Sequence, residues 1–221
     1  MGASRSRSYQ SHSVPALADE IKASLSLVDA FLRILPPRTL SLKPSGLRPA
    51  LLYTDASDVP GRAKGQYCVG AVLDSPLAST LLHTLLAVPP DVVASWIPKQ
   101  TQIGQLEIFA APVALDTWGP LLVGQEVFLF VDNTSALASL TKGFSPRADS
   151  VKLVGDFWLR ACKLQLNAWI ERVESKSNLS DGPSRFDTAL VESFGSVFTE
   201  PSTTLLSVHP CRDPLQWFNE R

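Results

Sequence analysis

The chain of 221 residues is predicted to be an α/β domain built on a five-stranded mixed sheet flanked by helices. Three observations lead there. Two short apolar runs, LLYTDAS at 51–57 and VFLFVDN at 127–133, have the length and bulk of strands. Stretches with apolar residues at helical spacing separate and follow them, as crossovers between parallel strands require. A turn-forming segment with two glycines, DVPGRAKGQ, joins the first run to YCVGAVL, which marks a hairpin. A sheet with both a hairpin and helical crossovers is mixed.

Composition supports one domain of ordinary size with flanking segments. Hydrophobic residues make up 45% and charged residues 19%, so a core is available, and the net charge of −1 gives no basic excess to announce a polyanion partner. An enzyme that meets phosphate through bound cations needs fewer lysines. Cys68, Cys162 and Cys211 are far apart without CxxC spacing and read as free thiols. The three histidines are not spaced for zinc. With no membrane-length apolar run and no signal-like segment, the expected location is intracellular, cytoplasm or nucleus, with no membrane partner.

In chain order, residues 1–14 are rich in Ser and Arg and are predicted disordered. Apolar positions Leu17, Ile21, Leu25, Val28, Phe31, Leu32 and Leu35 predict one amphipathic helix, stopped by Pro36 and Pro37. Helix and a Pro-rich tether together span 15–48, and the main domain is expected over 49–187. Leu51–Thr54 is the first predicted strand and Tyr67–Leu73 the second. A short helix is predicted over 76–86 and a third strand over 92–97. The spacing predicts a helix from Gln105 to Trp118, with Pro112 as an internal irregularity, then an apolar strand over 127–131. A short helix over 134–142 ends at Gly143, and Val151, Val154, Phe157, Trp158, Ala161 and Leu164 form the stripe of the next. Alternation over 167–173 predicts the fifth strand, and residues 180–185 begin a last helix. The tail, 188–221, is expected to be loosely packed or disordered. Trp158 and Trp169 are expected in the core.

Four acids stand out by position. Asp55 and Asp132 each close an apolar strand run, Glu107 lies early in the helix between them, and Asp181 opens the last helix. If the first and fourth strands are parallel neighbours, Asp55 and Asp132 lie side by side and Glu107 can face them. Carboxylates brought together repel, and divalent cations relieve that repulsion. Oxygen-only ligands suit Mg²⁺ or Mn²⁺. Two ions about 3.5–4 Å apart would clamp an in-line displacement at phosphorus.

These segments resemble the ribonuclease H type 1 domain of retroelement reverse transcriptases. LLYTDAS is similar to the family's first-strand motif, IGQLEIFAAPVAL to its first-helix motif and VFLFVDNTSAL to its fourth-strand motif. ERVESKSNLSDGPSR resembles the closing segment, with Asn178, Asp181, Ser184 and Arg185 in the matching places. The resemblance implies a ribonuclease H-like fold and Asp55, Glu107, Asp132 and Asp181 as catalytic metal ligands for two Mg²⁺ (or Mn²⁺) ions. It further implies hydrolysis of the RNA strand of an RNA–DNA hybrid, leaving a 3′-hydroxyl and a 5′-phosphate. Asn133, Asn178 and Arg185 are the expected substrate contacts from these motifs. The basic residues Lys142 and Arg147, with Lys152, Arg160 and Lys163, are placed to track the DNA backbone. The helix and tether resemble a link to an upstream polymerase domain. The loop before Asp181 lacks the histidine that many members carry.

Two alternatives stand beside this reading. One is an integrase- or transposase-like core, which usually ends on Glu in a longer helix, where this chain has Asp181 followed by Gly-Pro. The other is a retroelement remnant that folds and binds without cutting.

Overall fold

Strand formation starts where the apolar runs predict it. The computed structural model describes residues 46–58 and 66–203, together with Leu25, Asp29, Leu32, Arg33 and Pro37. Predictions for 1–14, for most of the helix and tether, and for the chain beyond 203 lie outside the described residues. The described residues of one unit, 1–35 and 213–221, are Leu25, Asp29, Leu32 and Arg33, all helical, with Arg33 Nε donating to Asp29 Oδ2 at 2.8 Å. The other unit spans residues 36–212.

Three strands open it: β1 (Ala50–Asp58), β2 (Tyr67–Asp74) and β3 (Leu82–Val88), an antiparallel meander. Helices α1 (Pro90–Ala94) and α2 (Ile103–Leu122) lead to β4 (Glu126–Val131). Next come α3 (Thr134–Lys142), α4 (Ala148–Lys163) and β5 (Asn167–Arg172), then a 3₁₀ turn at Ser175–Ser177. The chain closes with α5 (Asp181–Ser184), α6 (Ala189–Ser193) and β6 (Val197–Phe198). The sheet order is β5-β4-β1-β2-β3-β6, with β4 parallel to β1 and β5 parallel to β4. The expected mixed sheet is therefore present, with six strands in place of five.

Two predicted elements exchange identity. The segment read as a helix over 76–86 contributes β3, and the strand predicted over 92–97 is replaced by α1. Pro90 explains the second, because proline is pre-organised for the first helical position. β3 was hidden because His83 and Thr84 interrupt its apolar run, although both are buried.

Helix α2 extends past its predicted end. Its backbone breaks at Trp118 (φ −116°, ψ 19°), two residues before Pro120, whose ring opposes continuous helix. Pro112 is accommodated within it. In α4 the buried stripe is Leu153, Val154, Phe157 and Ala161, while Val151 is exposed. The tail departs from its prediction over 189–198: Val191 is fully buried, and β6 pairs with Leu82 and His83 of β3.

The two faces of the sheet are unequal. Leu52 and Thr54 of β1 and Val127, Leu129 and Val131 of β4 point to one face and are buried. Helix α2 packs on β1 and β2 and against α4. On the opposite face Leu51, Tyr53, Phe128 and Phe130 are half-buried, with the Tyr53 and Phe130 rings stacked at 4.8 Å. Trp169, beside Phe128 in register, is 62% exposed, so it is not the core residue predicted. β4 is an inner strand with one face buried and the other only half-buried. Cys162 is a free thiol, Cys68 is buried with its thiol donating to the Pro183 carbonyl at 3.9 Å, and no helix among the described residues is long and apolar enough to cross a membrane.

Candidate metal centre

Register brings the first two acids together. Parallel pairing of β1 with β4 ends at Thr54 and Val131, so Asp55 and Asp132 are the next residues on neighbouring strands. Asp55 is still within β1, which continues to Asp58 by pairing with β2, whereas Asp132 has left β4. Helix α2 presents Glu107 from its first turns. One carboxylate oxygen from each of Asp55, Glu107 and Asp132 lies within 4.8 Å of the other two.

Burial makes this cluster electrostatically costly. Asp55 and Glu107 are each only 3% exposed. Burial, offset in part by a hydrogen bond from Ser184 and reinforced by Asp132, raises the Asp55 carboxyl to about 6. Burial, then the charges of Asp55 and Asp132, raises Glu107 to about 9. Glu107 Oε2 is buried and has no hydrogen-bond partner among the described residues. A buried carboxylate oxygen without a partner, on a side chain clustered with two further carboxylates, is what a cation would satisfy, and an all-oxygen donor set suits Mg²⁺ or Mn²⁺. The residues fit such an ion.

Asp181 stands outside this group of three. Its Oδ1 accepts from Arg185 Nη2 at 2.8 Å and Nε at 3.0 Å, and it is half-exposed. Its charge still contributes to the upward shifts of Asp55 and Glu107.

Several expected substrate contacts have hydrogen-bond partners within the fold. Asn133 is the N-cap of α3, its Oδ1 accepting from the backbone N–H groups of Ser135 and Ala136, both at 3.0 Å. Asn178 is buried: Nδ2 donates to the Thr54 carbonyl at 3.1 Å, and Oδ1 accepts from Ser180 N and Oγ. Arg160 lies between α2 and α4, bonded to Asp116 Oδ1 at 2.6 Å and Asp156 Oδ1 at 2.5 Å, so it is not on a DNA-facing surface. Lys142 and Arg147 are exposed. Arg147 borders a polar cleft of about 230 Å³, with Lys99, Ser135, Ser139, Ser145 and Ser150.

Sequence reasoning gave no role to Ser57, Gly70 or the hydroxyl of Ser184. Ser57 Oγ donates to the Ser184 carbonyl at 2.5 Å, and Ser184 Oγ reaches Asp55 Oδ2 at 2.5 Å. A Cβ on Gly70 would collide with the backbone of Ser180, Pro183 and Ser184. The available signal was Gly70 inside a predicted strand, since a glycine there lets backbone approach backbone.

Parallel neighbours ending in acids, a third acid on the intervening helix and a hairpin extending the sheet are the arrangement the resemblance implies. The fold is ribonuclease H-like. The sequence matches no protein-family model and no curated protein. Among solved structures, the chain is similar to ribonuclease H1 of the archaeon Halobacterium salinarum (19% identity, 65% of this chain, 98% of that one, TM-score 0.43). It is also similar to the N-terminal RNase H domain of a Mycobacterium tuberculosis protein (17%, 65% and 96%, TM-score 0.44). A third is LC11-RNase H1, isolated from compost (14%, 62% and 95%, TM-score 0.43). Likeness at this level adds no weight to the strand order and the acid geometry described above.

Proposed function

We propose that this domain is a divalent-metal-dependent endonuclease that hydrolyses the RNA strand of RNA–DNA hybrids. The observation that carries the proposal is the convergence of Asp55, Glu107 and Asp132, with a buried Glu107 oxygen that has no hydrogen-bond partner among the described residues. In this reading the three carboxylates hold two Mg²⁺ or Mn²⁺ ions, with Asp181 as the fourth acid at the rim. Bound ions would supply the positive charge that lets water attack phosphorus and stabilises the leaving oxygen. The chain's own contributions are placement and charge. The shared register of β1 and β4 sets the spacing of Asp55 and Asp132, and burial removes competing water from Glu107. Arg147 and the hydroxyls of Ser135 and Ser145 in the polar cleft offer donors to a backbone phosphate, and Lys142 adds a second exposed cation. The closing segment supports the further proposal of a retroelement reverse transcriptase origin, and the helix and tether predicted over 15–48 support that of an upstream polymerase domain; an intracellular setting is proposed with them.

The test is cleavage of a hybrid labelled on the RNA strand, with Mg²⁺ or Mn²⁺, by the native protein and by Asp132→Asn. We expect hybrid-specific cutting that falls by at least about 100-fold in the variant, as for loss of a group that acts on transition-state charge. Cutting of the hybrid that survives in the variant would exclude this site. One observation favours a second reading, a domain that binds hybrid without cutting: Arg185 already occupies Asp181. Hybrid binding by folded native protein, with no cleavage in either metal, would select that reading.

A further inference from the structure

The closing segment is fastened to β1 at three successive points. Asn178 Nδ2 donates to the Thr54 carbonyl at 3.1 Å, Ser184 Oγ reaches Asp55 Oδ2, and Ser57 Oγ donates to the Ser184 carbonyl. Gly70, opposite Asp55 on β2, leaves the space this close approach needs. The middle attachment ends on a side chain of the acidic cluster.

Ser184 is fully buried, and its hydroxyl has one proton for two acceptors in reach. These are Asp55 Oδ2 at 2.5 Å and the Asp181 carbonyl at 2.9 Å. A carboxylate is the stronger acceptor and the shorter contact, so the proton goes to Asp55. That bond takes one of the two Asp55 oxygens and holds the carboxylate in one rotamer.

We infer that Ser184 is a positioning residue for the metal centre, its buried hydroxyl fixing the orientation in which Asp55 meets a divalent cation. The inference rests on the metal-dependent reading of the site and adds a residue to it. The same hydroxyl bonded only to the Asp181 carbonyl would merely tie one helical turn, and the two roles separate experimentally.

The experiment measures Mn²⁺ binding directly, from the electron paramagnetic resonance signal of free Mn²⁺, well below the unfolding midpoint and without substrate. Native protein, Ser184→Ala, Ser57→Ala and Asp132→Asn are compared, with folding checked by circular dichroism. Ser184→Ala removes only the hydroxyl. Ser57→Ala removes an equally buried bond of the same segment without touching Asp55. We expect Mn²⁺ affinity to fall about 10-fold in Ser184→Ala and to stay within about two-fold in Ser57→Ala. Hybrid cleavage by Ser184→Ala should need correspondingly more Mn²⁺, with kcat at saturating metal largely recovered. Native affinity in Ser184→Ala overturns the inference while leaving the metal site standing. Equal losses in both serine variants also overturn it, because segment docking and not the hydroxyl would then be responsible. If native protein binds Mn²⁺ no better than Asp132→Asn, the metal-site reading fails and this inference goes with it.

Discussion

Glu107 is the residue whose environment disagrees most with its charge. Its carboxyl is raised from 4.5 to about 9, chiefly by burial. An acid whose folded value lies above its unfolded one binds protons more tightly when folded. Its stabilising contribution is complete below the unfolded value and is lost as pH rises toward the folded one. Between pH 7 and 9, above the ordinary histidine range, metal-free protein should therefore lose thermal stability. Glu107→Gln should remove most of that fall, as followed by calorimetry in EDTA. Millimolar Mg²⁺ should stabilise native protein more at pH 8 than at pH 7, because fewer protons must be displaced. A native midpoint that rises across this window would contradict the assignment. Glu107 was legible in the sequence as an acid of the right helix. Its orphaned oxygen was not, since that depends on which atoms of β1 and β4 lie opposite.

At the scale of elements, α2 and α4 are joined by one buried cation between two acids. Arg160 is 6% exposed and bonds Asp116 on α2 and Asp156 on its own helix. Burial, outweighing the pull of Arg160, raises Asp156 to about 6. Removing the cation leaves two largely buried carboxylates facing each other. Arg160→Met should cost about 3–5 kcal/mol at neutral pH in chemical denaturation. A loss below about 1 kcal/mol, typical of a surface pair, would show that solvent reaches the network. The sequence read Arg160 as a DNA contact because it shares a helix with other cations. Which side of α4 meets α2 follows from packing, and helical spacing alone did not separate a paired arginine from a solvated one. The exchange of helix and strand between 76 and 97 has a similar origin. Short apolar runs satisfy both periods, and pairing with β2 decided for the strand.

For the whole domain, the last described segment completes the sheet. β6 adds to β3 through Leu82 and His83, and His83 Nδ1 lies 2.8 Å from Ser196 Oγ. The His83 ring also packs against Phe198 at 5.7 Å. Truncation after Asp187 would uncover the edge of β3 and a histidine that is only 2% exposed. We expect a lower unfolding midpoint and concentration-dependent association, seen by light scattering, since an open strand edge offers unpaired backbone groups. Unchanged stability and a monomeric variant would mean that the segment is dispensable.

Sequence chemistry alone carried the central strands, the helix between them and the acids they deliver, because those features are local. An apolar run, a helical period and an acid at a strand end are written in consecutive residues. Gly143 as the stop of α3 was legible for the same reason, with φ of 64° where a side chain is disfavoured. Other features depend on partners distant in the chain. Trp169 reads as core, yet nothing among the described residues covers its face of β5. Asn178 and Ser184 read as part of a motif, and only the approach of that segment to β1, 124 and 129 residues away, turned them into a clamp and a carboxylate partner. Periodicity records which side of an element is apolar. Whether that side is buried, and which atom lies opposite a given oxygen, is settled when the elements pack.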